Sequence, residues 1–95
     1  MTTYKLVFKV AAKKEWDRLD ETARSILKQK LANRLQHPRV ESARLSGMQN
    51  CYKIKLRRVG YRLVYQVRDF TLVVCVIAVG KRERNQVYKI ATKRL

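Results

Sequence analysis

Apolar and polar positions along this chain change their repeat in a way that separates strands from helices. From Tyr4 to Val10, the residues Tyr4, Leu6, Phe8 and Val10 alternate with Lys5, Val7 and Lys9, the two-residue repeat of a strand. From Ala11 to Leu19 the spacing lengthens, and Ala12, Trp16 and Leu19 fall at helical intervals. Asp20 fits the N-cap of a second helix, whose apolar stripe is Ala23, Ile26, Leu27, Leu31 and Leu35, with Arg24, Lys28, Lys30 and Arg34 around the remainder. His37-Pro38 closes it, because the residue before a proline is driven out of the helical region. The two helices read as a helical hairpin covering a sheet, and Pro38 to Asn50, without a clear period, reads as a connecting loop.

The next stretch, Cys51 to Val67, carries two alternating arms and predicts a β-hairpin. Tyr52, Ile54 and Leu56 point one way on the first arm, with Cys51, Lys53, Lys55 and Arg57 on the other; on the second arm Tyr61, Leu63 and Tyr65 oppose Arg62, Val64 and Gln66. The turn is either the pair Arg58-Val59 or a wider four-residue loop using Gly60. A register that matches the apolar residues of the two arms also gathers Lys53, Lys55 and Arg62, whereas a slip of one residue mixes the faces. Asp69 is the expected turn residue before Thr71 to Val79, a β-branched run of the kind found in a central strand covered on both sides. Gly80 is expected to stop that strand, and Val87, Ile90 and Ala91 mark a last helix through about Arg94. The order is βααβββα. It predicts an α+β fold, one compact domain over residues 1–95, with helices packed on a mainly antiparallel four-stranded sheet.

Charge changes the picture more than composition does. The chain has 95 residues and carries 23 Lys plus Arg against 7 Asp plus Glu, a net charge of +16, yet 46% of its residues are hydrophobic. That combination argues against disorder and for a small folded binder of polyanions: DNA, RNA, an anionic membrane or an acidic partner. The N-terminal residues contain no apolar signal region, and the longest apolar run, Leu72 to Val79, is far shorter than the roughly 20 residues of a spanning helix. Action in the cytosol, with no membrane partner, is expected. Cys51 and Cys75 fall within strands and lack metal-ligand spacing, so both read as reduced packing residues.

Hydrolytic constellations are sparse. His37 is the one histidine and reads as a cap or surface residue beside Pro38; there is no Gly-rich phosphate loop, no metal-ligand pair and no Ser-His-Asp set. No metal or other cofactor is expected. An enzyme built from lysine, arginine and tyrosine suits one reaction well: RNA transesterification, in which the substrate's own 2′-hydroxyl attacks the adjacent phosphodiester. The protein then has to accept a proton and stabilise extra negative charge in the transition state. A lysine is a poor base at its ordinary pKa of about 10.4, but neighbouring cations disfavour its charged form. The Lys53, Lys55 and Arg62 cluster therefore suits a base and an electrostatic clamp together, with Arg62 and Arg82 as phosphate ligands. Tyr88, four residues after Arg84, either stacks on a base or bonds a phosphate, or else packs the helix edge. Arg44, Arg57, Lys81 and Arg84 complete the candidate RNA-binding set.

Three segments, Cys51-Tyr-Lys-Ile-Lys-Leu, Gly60-Tyr-Arg-Leu-Val-Tyr-Gln-Val and Val79-Gly-Lys-Arg-Glu-Arg, with Val87-Tyr88 beyond them, resemble the RelE toxins of bacterial toxin–antitoxin pairs. The likeness extends to the Lys14-Glu15-Trp16 helix and the loop Leu45-Ser46-Gly47-Met48. It implies a microbial-ribonuclease-like sheet and an endoribonuclease that enters the ribosomal A site and cuts the mRNA there. By the same resemblance Lys55 is the general base, Lys53 and Arg62 stabilise the transition state, Arg82 binds the phosphate, and Tyr88 orients the nucleotide. Relatives often read Lys-Leu-Arg-Gly where this chain has Arg44-Leu45-Ser46-Gly47, so Ser46 replaces an arginine and Arg44 is the candidate substitute. A cognate acidic antitoxin of RelB type, able to wrap the basic surface and displace the last helix, is also implied. The rival readings are a ParE-like inhibitor of DNA gyrase on the same fold, and a basic RNA-binding protein without catalysis.

Overall fold

The computed structural model describes residues 3–81, 83 and 85–95. Its elements follow the order β1 (Lys5–Phe8), α1 (Val10–Asp17), α2 (Glu21–Gln36), a 3₁₀ turn (Glu41–Ala43), β2 (Cys51–Leu56), β3 (Tyr61–Arg68), β4 (Val73–Lys81) and α3 (Gln86–Arg94). The four strands lie in the order β1-β4-β3-β2. β2, β3 and β4 are antiparallel neighbours, while β1 runs parallel to β4, so the sheet is mixed with one parallel pair.

Local chemistry sets most of these boundaries. The Asp20 side chain accepts a 2.7 Å hydrogen bond from the Ala23 amide, satisfying one of the amides that the first turn of α2 leaves unpaired. β1 is shorter than the alternation predicts: Val10 begins α1 and stands in solvent, because the chain turns into the helix as soon as Phe8 has packed against Trp16. At the other end of the chain, β4 continues through Gly80 to Lys81, contrary to the expectation that the glycine stops it. The β2–β3 turn is the wider alternative, Arg57 to Gly60, and Gly60 takes a positive φ of 67° that favours glycine. Its register pairs Tyr52 with Tyr65, Ile54 with Leu63, Leu56 with Tyr61 and Lys55 with Arg62.

The sheet separates two apolar layers. α1 and α2 cover one face through Ala12, Trp16, Ala23, Leu27 and Leu31, which meet Tyr52, Ile54, Leu63, Tyr65, Val74 and Val76. α3 covers part of the other face, where Val87 and Ala91 pack on Cys51, Val64, Cys75, Ile77 and Ala78. The face of the hairpin read from sequence as cationic is therefore apolar at one end. Cys51 and Val64 are buried in the apolar cluster that α3 shares with Met48, and the Lys53, Lys55 and Arg62 end is the more open one. Both cysteines are free thiols, and burial, with Cys75 nearby, pushes Cys51 up to about 11.

A β-bulge reconciles β4 with both layers. Val64 pairs with Ala78 but Tyr65 pairs with Val76, so Ile77 is the extra residue and both Ile77 and Ala78 join the layer under α3. After the bulge the alternation resumes one step out of phase. Gly80, opposite Arg62, consequently lies on the α3 side, while Lys81 pairs with Tyr61 on the side of α1 and α2.

Candidate active site

Lys53 and Lys55 project from the same side of β2, and Arg62 answers Lys55 directly across the strand pair. Next in that cross-strand line comes Gly80 on β4. A Cβ built on Gly80 would stand 3.0 Å from Val87 Cγ2, so the bare backbone is what admits the first turn of α3 against the sheet at this point. That close approach carries two α3 side chains onto Arg62. The Asn85 side-chain oxygen accepts a 2.9 Å hydrogen bond from Arg62, and the guanidinium carbon lies 5.1 Å from the centre of the Tyr88 ring, within cation–π range.

The electrostatics follow from this crowding of positive charge. Lys55 is held below the ordinary lysine pKa, first by the Lys53 ammonium, then by desolvation and by Arg62, with a smaller contribution from Arg57. Nearby cations thus make the exposed amine easier to deprotonate, as the alternation and charge of the hairpin imply. Tyr88 moves the other way: burial of its hydroxyl raises its pKa, and Arg62 offsets part of that rise. Two buried polar atoms, Arg62 Nε and the Tyr88 hydroxyl, have no hydrogen-bond partner among the described residues. Leaving a buried donor unpaired costs about 1–3 kcal/mol, so neither atom has, among the described residues, the compensation usual for a buried polar group. Lys55, Arg57, Arg62, Leu56 and Tyr61 line an open hollow of about 290 Å³ at the end of the hairpin.

The remaining candidates are more dispersed. Arg57 lies on the exposed turn that adjoins Lys55. Arg44 precedes β2 and makes a 3.5 Å ion pair with Glu41; its antiparallel bridge to Tyr52 sets it on the α1–α2 side of the sheet, away from the face of Lys53 and Lys55. Arg82 and Arg84 lie outside the described residues. His37 ends α2 and plays no part in this row.

Anchorage of α3 is a feature the sequence did not disclose. Arg94 makes a two-pronged ion pair with Glu15 at 2.8 and 3.1 Å and donates to the Ile77 carbonyl at 2.9 Å, while Glu15 also accepts from the Val79 amide at 3.1 Å. One half-buried carboxylate on α1 thereby ties the end of α3 to β4. Lys9 adds a 2.7 Å bond to the Arg94 carbonyl. The position of Tyr88 and Asn85 over Arg62 is thus secured from both ends of the helix.

Comparison with known proteins agrees with this architecture. The family model of the ParE toxin of type II toxin-antitoxin systems, parDE, matches residues 6–86. Over 92 residues the chain is 56% identical to the mRNA interferase toxin RelE of Escherichia coli K12, covering 97% of both proteins. This chain belongs to the RelE toxin family. A RelE-like fold is also seen directly: an arginine double mutant of E. coli RelE in the free state superposes with a TM-score of 0.91 at 54% identity, covering 98% of each chain. RelE in the intact E. coli RelBE toxin-antitoxin complex superposes at a TM-score of 0.83 and 57% identity, over 85% of this chain and 99% of that one. Among the described residues of this RelE-family chain, no helix is long and apolar enough to cross a membrane.

Proposed function

We propose that this RelE-family chain is an endoribonuclease that cleaves mRNA in the ribosomal A site and is neutralised by an acidic antitoxin of RelB type. The observation that carries the reading is the row Lys53, Lys55 and Arg62 closed by Tyr88, in which the exposed Lys55 amine is held below the ordinary lysine pKa. In the reaction, the neutral Lys55 amine accepts the proton of the ribose 2′-hydroxyl as that oxygen forms a bond to the adjacent phosphorus. Lys53 and Arg62 hold the added negative charge on the phosphoryl oxygens. The bond from phosphorus to the 5′-oxygen breaks, leaving a 2′,3′-cyclic phosphate and a 5′-hydroxyl once that oxygen is protonated. Arg82 is the candidate for phosphate binding and for help to the leaving oxygen, and Tyr88 orients the nucleotide. Arg57 adjoins the row at the hairpin turn, whereas Arg44 and Lys81 belong to the α1–α2 side of the sheet; together with Arg84 they are candidates to supply counter-charge for ribosomal RNA around the site.

The ParE description of the family model favours a second reading, inhibition of DNA gyrase. Primer extension on translated mRNA after brief induction separates the two. Stops within codons are expected; DNA breaks or altered supercoiling with intact mRNA would establish the gyrase reading instead.

The role of Lys55 also has a test that needs no substrate. Lys53 is the largest influence lowering its pKa, so Lys53→Ala should let the Lys55 amine hold its proton to higher pH. In a ¹³C NMR titration of the lysine ε-carbons, the wild-type Lys55 midpoint is expected below the ordinary value of about 10.4, and the variant midpoint closer to it. The free-amine fraction at neutral pH then falls, and the base weakens in availability. An unmoved midpoint would show that Lys53 does not tune Lys55.

A further inference from the structure

Asn85 occupies the N-cap of α3 in the left-handed conformation, with φ 60° and ψ 24°, yet its side chain makes no capping hydrogen bond. An asparagine at this position ordinarily stabilises a helix by bonding a first-turn amide, a contribution of about 1 kcal/mol. Here the side-chain oxygen is instead turned to Arg62, 23 residues earlier in the chain, at 2.9 Å. The backbone conformation suits that purpose: asparagine is among the few residues other than glycine that enter the left-handed region readily. Arg62 is correspondingly confined. One terminal nitrogen bonds Asn85, the guanidinium lies over Tyr88, and Nε is buried without a partner among the described residues.

We infer that Asn85 is a positioning residue, which fixes the orientation of the Arg62 guanidinium so that the rest of its fork is presented to the scissile phosphate. The inference rests on the endoribonuclease reading given above. A free arginine side chain loses substantial rotamer entropy when it clasps a phosphate; one already held on two sides loses less. Arg62 closes on the phosphoryl oxygens as negative charge builds on them in the transition state, so loss of this preorganisation should appear in the rate at saturation rather than in binding, which the rest of the basic surface supplies.

The informative variant is Asn85→Gly, because glycine keeps the positive φ without strain and removes only the acceptor. Relative to wild type, the single-turnover rate at saturating ribosome-bound mRNA should fall about tenfold, with melting temperature and half-saturating concentration unchanged. Introduced into an Arg62→Ala background, Asn85→Gly should change the rate less than about twofold, since a residue acting through Arg62 has nothing left to position. Side-chain ¹⁵N NMR of the free protein supplies a readout independent of cleavage: Arg62 guanidinium protons should be resolved in wild type and averaged by fast rotation in Asn85→Gly. Equal losses in both backgrounds, or a wild-type rate with unaltered Arg62 signals, would overturn the proposal. If the wild type cleaves no mRNA at all, the functional reading fails, and the NMR comparison still decides whether Asn85 restrains Arg62.

Discussion

Lys55→Ala is expected to lower single-turnover cleavage of ribosome-bound mRNA by about 10²–10⁴-fold, the usual contribution of a general base, while leaving the fold intact. The Lys55 side chain is exposed at the open end of the hairpin and belongs to neither apolar layer, so its truncation creates no cavity. It also removes one member of a row of like charges. Stability should therefore change by no more than about 0.5 kcal/mol. Ile54, the adjacent residue, is the control: it is buried beneath α2, and an aspartate there would sit uncompensated in the larger core. Ile54→Asp should cost more than about 4 kcal/mol and unfold much of the population of so small a domain. Circular dichroism of the two variants, read beside their cleavage rates, separates chemistry from stability. A folded Lys55→Ala protein that cleaves at the wild-type rate would remove Lys55 from the mechanism.

Dependence on the ribosome is expected to be the other large effect. The row supplies positive charge and a base, but the hollow beside it is lined, among the described residues, by only five, Lys55, Leu56, Arg57, Tyr61 and Arg62. Such a surface can stabilise a phosphorane without holding a flexible strand so that its 2′-oxygen lies in line with the bond to be broken. Orientation can contribute on the order of 7–11 kcal/mol when supplied in full, and a ribosome that grips the codon can provide it. The net charge of +16 serves the same end, drawing the protein to ribosomal RNA in a manner that should weaken steeply as salt rises.

How far the sequence revealed this site depended on whether each feature was local. The hairpin register was legible because both arms alternate, and a one-residue slip would bury Lys53 and Lys55 in place of Tyr52 and Ile54. The limits of α2 were legible from Asp20 and Pro38 for similar reasons. Alternation alone could not show that Cys51 and Val64 share a covered surface, because the docking of α3 is a tertiary event. Nor could it reveal the bulge at Ile77, since the run from Val73 to Val79 is apolar on both faces and a phase shift leaves no mark. Gly80 looked like a strand stop; its role is to let Val87 approach. Asn85 and the Glu15–Arg94 tie were missed because each joins residues far apart in the chain.

Whether the cationic row is an RNA-cleaving centre completed by the ribosome is decided by single-turnover cleavage of one mRNA in two states. The same transcript is presented free and in a programmed ribosome with an empty A site, at matched salt and saturating protein, to wild type and to Lys55→Ala. Much faster cleavage in the ribosome than in free RNA, lost with Lys55→Ala, is the predicted result; equal rates for free and ribosome-bound mRNA would contradict the account and point to a general ribonuclease.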